Sequence, residues 1–317
     1  MAHYNNDLVY RGFFGLAIGD ALGVPVEFLG RNWLKKNPVR DFQAFGTHQV
    51  PAGTWSDDTS MTLALAWSLI EKHCFDYDDI MQRFCDWLYH DNYTATGRTF
   101  DVGGTCAAAI GNYARNGDPR SCGESGERSN GNGSLMRILP VAYVSYANQL
   151  SDVDRYRLTR DNSALTHAHE ISILGCYIYV TFVCSLLNGR SKNEAYADIK
   201  KAHYSMFSEE TIAKYYRILK GNITSLDESE IASSGYVLNS LEAALWCLMT
   251  SDNYEDAVLK AVNLGKDTDT VGAITGSMAG ICYGIPQVWA KKLQNAAYLK
   301  DTCKRFAAAQ IAPSYLD

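Results

Sequence analysis

Two short stretches concentrate acid where apolar runs begin. "GTWSDDTSM" (53–61) sets Ser56, Asp57, Asp58 and Thr59 ahead of one run, and "NLGKDTDTVGAITG" (263–276) sets Asp267, Asp269 and Thr270 ahead of another. Ser, Thr and Asp accept hydrogen bonds from the free N–H groups of a first helical turn and suit its positive end, so a single Asp-Thr pair reads as a cap. Four carboxylates exceed what capping requires, and adjacent carboxylates repel unless a cation lies between them. If the two helix starts converge, Ser56, Asp57, Asp58, Asp267, Asp269 and Thr270 supply six oxygen donors and no imidazole or thiolate. Oxygen-only ligation suits Mg²⁺, Mn²⁺ or Ca²⁺ rather than zinc or copper. Six protein oxygens are more than one hydrated Mg²⁺ uses, so the set reads as two ions about 3.5–4 Å apart, as in two-metal hydrolytic sites. The small residues that follow, Gly272, Ala273, Gly276, Ser277, Ala279 and Gly280, read as the surface that lets the two helix ends approach.

Other residues with chemical potential each have a plainer reading. Glu27, in the apolar "GVPVEF", is a surface residue, a buried ion-pair partner or a proton-transfer acid. Asp101, in "DVGGT", reads as the cap of a helix beginning near Gly103. The loop "SNGNGSLMR" brings Asn132, Gly133 and Ser134 into a helix start, either as a connector ending in an ordinary cap or as an N–H cradle for an anion. Gly103 and Gly104 invite the same choice. His167, in "LTHAH", is a hydrogen-bonded structural residue or a ligand contact, and His169 has nothing further to single it out. Twenty tyrosines and eleven phenylalanines leave no single candidate for stacking on a base.

The elements that must position these groups are helices. Apolar residues recur at helical spacing from Leu8 to Leu22 after Asn6, a candidate N-cap. The same pattern marks Met61 to Ile70, Ile80 to Leu88, Thr105 to Tyr113, Ile171 to Leu187, Glu194 to Tyr204, Thr211 to Leu219, Val237 to Met249, Tyr254 to Leu264, Val271 to Tyr283 and Val288 to Leu299. Ser191 and Glu194 match a capping box. No alternating strand or hairpin pair emerges, so the spacing predicts an all-α fold. Residues 23–56, 92–104 and 116–133 break the pattern; long loops in a compact chain often carry function, which favours one domain over 1–317 with functional loops.

Composition narrows the partners. The 317 residues are 47% hydrophobic and 20% charged, the profile of a globular chain, with a formal net charge of -6. Basic residues are scattered, with no more than short pairs such as Lys35-Lys36, which argues against nucleic acid. The N-terminus lacks a secretory pattern, and no apolar run is expected to reach the roughly 18 residues of a membrane span. Nine dispersed cysteines, with no C-x-x-C pair, read as reduced thiols in a cytoplasm.

Taken together, these stretches resemble the ADP-ribosylglycohydrolase family, which includes dinitrogenase reductase-activating glycohydrolase and the vertebrate ADP-ribosyl hydrolases. The likeness rests on "GLAIGDALGVPVEF" (15–28), "GTWSDDTSM" (53–61), "DVGGT" (101–105), "NGNGSLMRILP" (130–140), "LTHAH" (165–169) and "NLGKDTDTVGAITGSMAGICYG" (263–284), in the family's order over nearly the whole chain. It implies a single-domain all-α fold with a dinuclear site for two Mg²⁺ (or Mn²⁺) between helix N-termini. It also implies hydrolysis of the glycosidic bond joining ADP-ribose to a side chain or small acceptor. The implied metal ligands are Ser56, Asp57, Asp58, Asp267, Asp269 and Thr270. The implied catalytic candidates are Glu27, Asp101, Asp58 and Asp269, and the implied substrate contacts are Gly103, Gly104, Asn132, Gly133, Ser134 and His167. Position 56 is Ser where many members have Thr, which keeps the hydroxyl. Lys266 stands where the usual Gly-Gly-Asp has its second Gly, adding bulk and charge beside the site. In the arginine-directed branch the acid matching Asp101 faces the scissile linkage, so its presence tilts the expectation toward an arginine acceptor. The expected partner is an ADP-ribosylated protein, with a cognate ADP-ribosyltransferase as a further candidate. The competing expectations are a catalytically dispensable immunity protein that occludes a transferase, and hydrolysis of a serine, O-acetyl or poly-ADP-ribose linkage.

Overall fold

Asn5 starts the first helix: its side-chain oxygen accepts from the Asp7 N–H at 3.0 Å. Asn6, the expected cap, is therefore already inside the helix. The structure, a computed structural model, describes residues 5–316. They form sixteen α-helices: α1 (Asn6–Gly23), α2 (Arg31–Lys36), α3 (Asp57–Lys72), α4 (Tyr77–His90), α5 (Gly104–Asn116), α6 (Leu139–Ala147), α7 (Asp152–Ala164), α8 (Glu170–Leu187), α9 (Lys192–Lys201), α10 (Glu209–Lys214), α11 (Tyr216–Leu219), α12 (Val237–Met249), α13 (Tyr254–Asn263), α14 (Thr268–Tyr283), α15 (Gln287–Lys292) and α16 (Ala296–Ala308). Among the described residues there is no strand ladder, only isolated bridges such as Gly131 with Tyr236. The all-α expectation holds, and the buried apolar side chains form one cluster running from Val9 to Ile311.

The centre of that cluster is the crossing of α1 and α14, the most extensive helix pair in the fold. Glycines make it possible. A Cβ on Gly19 would lie 2.0 Å from the Gly272 carbonyl oxygen, and one on Gly276 would lie 2.1 Å from that of Gly15. No side chain fits, so the two backbones touch. The small-residue face of α14 therefore packs on α1, not on α3 as the sequence led us to expect. This close approach delivers the C-terminal end of α1, with Asp20, to the first turn of α14. Pro25 follows directly and ends the helix.

Several boundaries differ from the periodicity. The stretch 211–219 divides into α10 and α11 at Tyr215, and 288–299 divides into α15 and α16 around Asn295, whose φ is 50°. Helix α9 ends at Lys201 rather than Tyr204, while the Ser191–Glu194 capping box is present. Helices α2, α6 and α7 were not foreseen. Helix α8 also corrects the statement on apolar runs: its 18 residues are long and apolar enough to cross a bilayer. Every one of them except Glu170 is buried within the fold, as a core helix requires.

Candidate metal centre and substrate cavity

The starts of α3 and α14 converge. Ser56 is the N-cap of α3 and accepts from the Asp58 N–H, so Asp57 and Asp58 occupy the first turn. Asp267 is the N-cap residue of α14, with Asp269 in its first turn, but its side chain makes no capping bond. It is held instead by the side-chain amide of Asn132, which donates to Asp267 Oδ2 at 2.7 Å. Thr270 Oγ1 donates to Asp58 Oδ2 at 3.4 Å across 212 positions of sequence, joining the two helix ends. The Ser56 hydroxyl donates to the same oxygen at 3.0 Å.

Asp20 completes the floor, and the sequence reading missed it. One carboxylate oxygen each from Asp20, Asp58 and Asp269 lies within 4.8 Å of the others, as do oxygens from Glu27, Asp267 and Asp269. Asp20 accepts from the Ser56 N–H at 2.9 Å, the Thr59 N–H at 3.1 Å and the Thr59 hydroxyl at 2.6 Å, so it clamps the first turn of α3. Burial lifts its carboxyl to about 6 against those bonds. Burial pushes Asp57, Asp58 and Asp269 well above the carboxylate range; repulsion adds to this, led by Asp101 for Asp57, Asp20 for Asp58 and Glu27 for Asp269.

This arrangement fits a hard divalent cation. Asp58 Oδ1 and Asp269 Oδ2 are buried with no hydrogen-bond partner, although carboxylate oxygens in an interior are nearly always paired. Clustered buried carboxylates with orphaned oxygens are costly unless protonated or neutralised by a cation. The donors that Ser56, Asp57, Asp58, Asp267, Asp269 and Thr270 offer are carboxylate and hydroxyl oxygens, the ligand type such ions take.

Above the floor lies a cavity of about 350 Å³ whose wall includes Glu27, Asp57, Asp101, Gly103, Gly104, Asn132, Gly133, His167, Asp267 and Thr270. Glu27 is buried at the wall, and its Oε2 is hydrogen-bonded to His48 Nε2. The loop carrying His48 is seated on the chain around Glu27: Thr47 Oγ1 donates to the Glu27 carbonyl at 2.8 Å, and a Cβ on Gly46 would lie 2.0 Å from the Pro25 carbonyl oxygen. Burial raises Glu27 to about 7 against the pull of His48, and the same hydrogen bond raises His48. A carboxyl held near neutrality suits proton transfer. His48 was not singled out from sequence, since nothing local in "GTHQV" points 21 residues back to Glu27.

Asp101 lines the cavity with φ 51° and does not cap α5, whose N-cap is Gly103 without a side-chain bond. The cap reading is thereby corrected. Gly103 and Gly104 open the start of α5 to the cavity, with nothing within 4 Å of where a Cβ would stand. His167 is buried, its Nδ1 hydrogen-bonded to Thr166 Oγ1 at 2.8 Å. Burial, with the nearby Arg137 charge, lowers it to about 3, so it is neutral. A side chain at Gly133 would reach His167 and Cys106, at 2.9 and 2.6 Å. Asn132 serves the Asp267 carboxylate more directly than an anion. Ser134 lies behind the cavity wall, accepting from the Ser163 hydroxyl at 2.9 Å. Beneath this loop Arg137 is fully buried, donating to the Gly133 carbonyl and to Asn162 O at 3.0 Å.

Comparison with known proteins agrees with this geometry. A family model described as ADP-ribosylglycohydrolase matches residues 3–314. The chain is 35% identical to the ADP-ribosylarginine hydrolase Tri1 of Serratia proteamaculans, over 88% of this chain and 73% of that one. It is 30% identical to the ADP-ribosyl-[dinitrogen reductase] glycohydrolase of Rhodospirillum rubrum, over 91% of this chain and 90% of that one. A solved structure titled "ADP-ribosylglycohydrolase-related protein complex" superposes with a TM-score of 0.81 at 29% identity, covering 96% of this chain and 99% of that one. The family's motifs, its helical scaffold and the convergent acidic floor coincide over nearly the full length, and the chain belongs to the ADP-ribosylglycohydrolase family.

Proposed function

We propose that this chain hydrolyses the glycosidic bond between ADP-ribose and an arginine side chain of a modified protein, using two Mg²⁺ or Mn²⁺ ions held by Ser56, Asp57, Asp58, Asp267, Asp269 and Thr270. The observation that carries this reading is the convergence of two helix starts, with Asp58 and Asp269 oxygens left unpaired beneath a cavity walled by Glu27 and Asp101. Relatives named as ADP-ribosylarginine hydrolases, at 35% and 33% identity, support arginine as the acceptor. Nine free cysteines support a reducing, cytoplasmic setting for the single domain 1–317.

Ions bound at this floor would supply Lewis acidity toward the ribose hydroxyls. The remaining work falls to the chain. Cleavage at the anomeric carbon passes through oxocarbenium character, so the leaving group must be oriented and its charge accommodated. Asp101 at the cavity wall offers a guanidinium a charged acceptor. Glu27 Oε2, hydrogen-bonded to His48 Nε2, is placed to give or take a proton at the wall. The open start of α5 at Gly103 and Gly104 presents N–H groups to a pyrophosphate, which lets an acidic protein hold an anion without a basic patch. Neutral His167 contributes a hydrogen-bonding edge without charge.

Release of ADP-ribose from arginine-linked and serine-linked proteins, measured with Mg²⁺, with chelator and for Asp269→Ala, tests this reading. Release from the arginine-linked substrate alone, lost with chelator and in the variant, is expected. Release only from the serine-linked substrate overturns the acceptor assignment. Release from neither, together with tight binding to a transferase, replaces hydrolysis by occlusion.

A further inference from the structure

The geometry points to Phe28 as the residue that selects the acceptor, its ring forming a face against which the planar guanidinium of the modified arginine lies while Glu27 and Asp101 neutralise it. The inference rests on the arginine reading above and adds a residue and a recognition mode to it.

Phe28 is in an unusual position. It lines the cavity directly beside buried Glu27, yet it is 67% exposed, so it adds little to the core. Its φ is 66°, a left-handed conformation that is an outlier for a bulky aromatic residue. Backbone hydrogen bonds to Lys266 hold this conformation: the Phe28 N–H donates to the Lys266 carbonyl at 2.6 Å, and the Lys266 N–H donates to the Leu29 carbonyl at 2.7 Å. Lys266, with φ 65°, therefore works through its backbone to hold the phenyl ring at the rim. A loop with no task for that ring would more cheaply place glycine there or turn the aromatic inward.

The surroundings define what the ring could meet. Its centroid is 6.1 Å from that of His48, which in turn lies 5.2 Å from that of Phe100. Val102, 37% exposed, adds apolar surface on the cavity wall. One carboxylate oxygen of Glu27 and one of Asp101 lie within 4.8 Å of each other and of a ring nitrogen of His48. An aromatic and apolar rim over paired carboxylates matches a flat cation on a hydrocarbon stem. An arginine side chain is such a group: the guanidinium stacks on rings, and a carboxylate binds its N–H edge. A serine acceptor offers neither charge nor plane, so the rim would give it no preference.

Three variants separate the π face from bulk: Phe28→Ala, Phe28→Leu and Phe28→Tyr. With arginine-linked substrate, Ala and Leu are expected to raise KM on the order of ten-fold with kcat nearly kept, and Tyr to stay close to the parent. The dissociation constant of ADP-ribose, which has no acceptor, is expected to be unchanged in all three. Binding of methylguanidine to the Mg²⁺- and ADP-ribose-loaded protein, followed by NMR, is expected to weaken in Ala and Leu only. If Leu matches the parent, or ADP-ribose affinity falls in step with KM, the inference is overturned. Should the parent fail to turn over arginine-linked substrate, the function reading fails on that assay alone. The methylguanidine titration then decides this inference separately: no binding by the parent overturns it, and binding lost in Phe28→Ala sustains it.

Discussion

Asp58 and Asp269 each keep one buried oxygen without a partner, and each stands among carboxylates that repel it. Without a cation the floor therefore costs stability. Asp269→Asn keeps the shape and removes a group whose ionised form the metal-free floor disfavours, so the chelated variant is expected to be more stable than the chelated parent by about 1–2 kcal/mol in urea unfolding, while losing activity. A chelated variant less stable than the parent would mean the floor is not electrostatically strained. His167 gives a second prediction with the opposite logic. Its value of about 3, against about 6.5 in the unfolded chain, means that only the unfolded state takes up a proton as pH falls below 6.5. Stability is therefore lost toward acid at up to about 1.4 kcal/mol per pH unit. The stability difference between the parent and His167→Asn is expected to shrink by about 2 kcal/mol from pH 7 to pH 5; a pH-independent difference would contradict a buried neutral ring. Asp57, Asp58, Asp267 and Asp269 were legible as a possible site at this scale because they cluster in sequence. Asp20 and His48 were not: each is a lone polar residue whose partner lies 36 or 21 positions away.

Helix α1 carries the site from behind. Its glycines allow α14 to approach until backbones touch, and that contact sets where Asp20 stands relative to Asp269. Gly19→Ala places a Cβ 2.0 Å from the Gly272 carbonyl oxygen, which only a shift of a whole helix relieves. A loss of about 3 kcal/mol or more is expected, with weaker metal binding in whatever folds; Gly103→Ala, whose Cβ meets nothing within 4 Å, is the control and is expected to fold normally. An equal, small effect of both would show that the crossing is not tight. Helix type was readable wherever an apolar stripe repeated, as in α3, α8, α12 and α14. Helix α7 escaped because "DVDRYRLTRDNSA" is almost entirely polar and its burial is supplied by tertiary packing. The small-residue face of α14 was read correctly as a contact surface but assigned the wrong partner. Spacing reports that a surface packs closely, not against what.

For the whole molecule, metal binding and global stability are one equilibrium. The carboxylate floor joins residues from α1, α3 and α14, elements far apart in sequence, so the site exists only when the fold does and the unfolded chain has no comparable affinity. Binding to the folded state alone adds RT ln(1 + [M]/Kd) per site, which at saturation grows by about 1.4 kcal/mol for each ten-fold rise in cation. Two ions bound independently therefore raise stability by about 2.7 kcal/mol per decade, and one ion by half as much. Urea unfolding across a Mg²⁺ series, repeated with Mn²⁺, is expected to give the steeper slope, and Asp58→Asn to reduce it toward the slope for one ion. A slope near zero with both metals would remove the cation from the account and leave the buried carboxylates protonated, while the shallower slope in the parent would reduce the centre to a single ion.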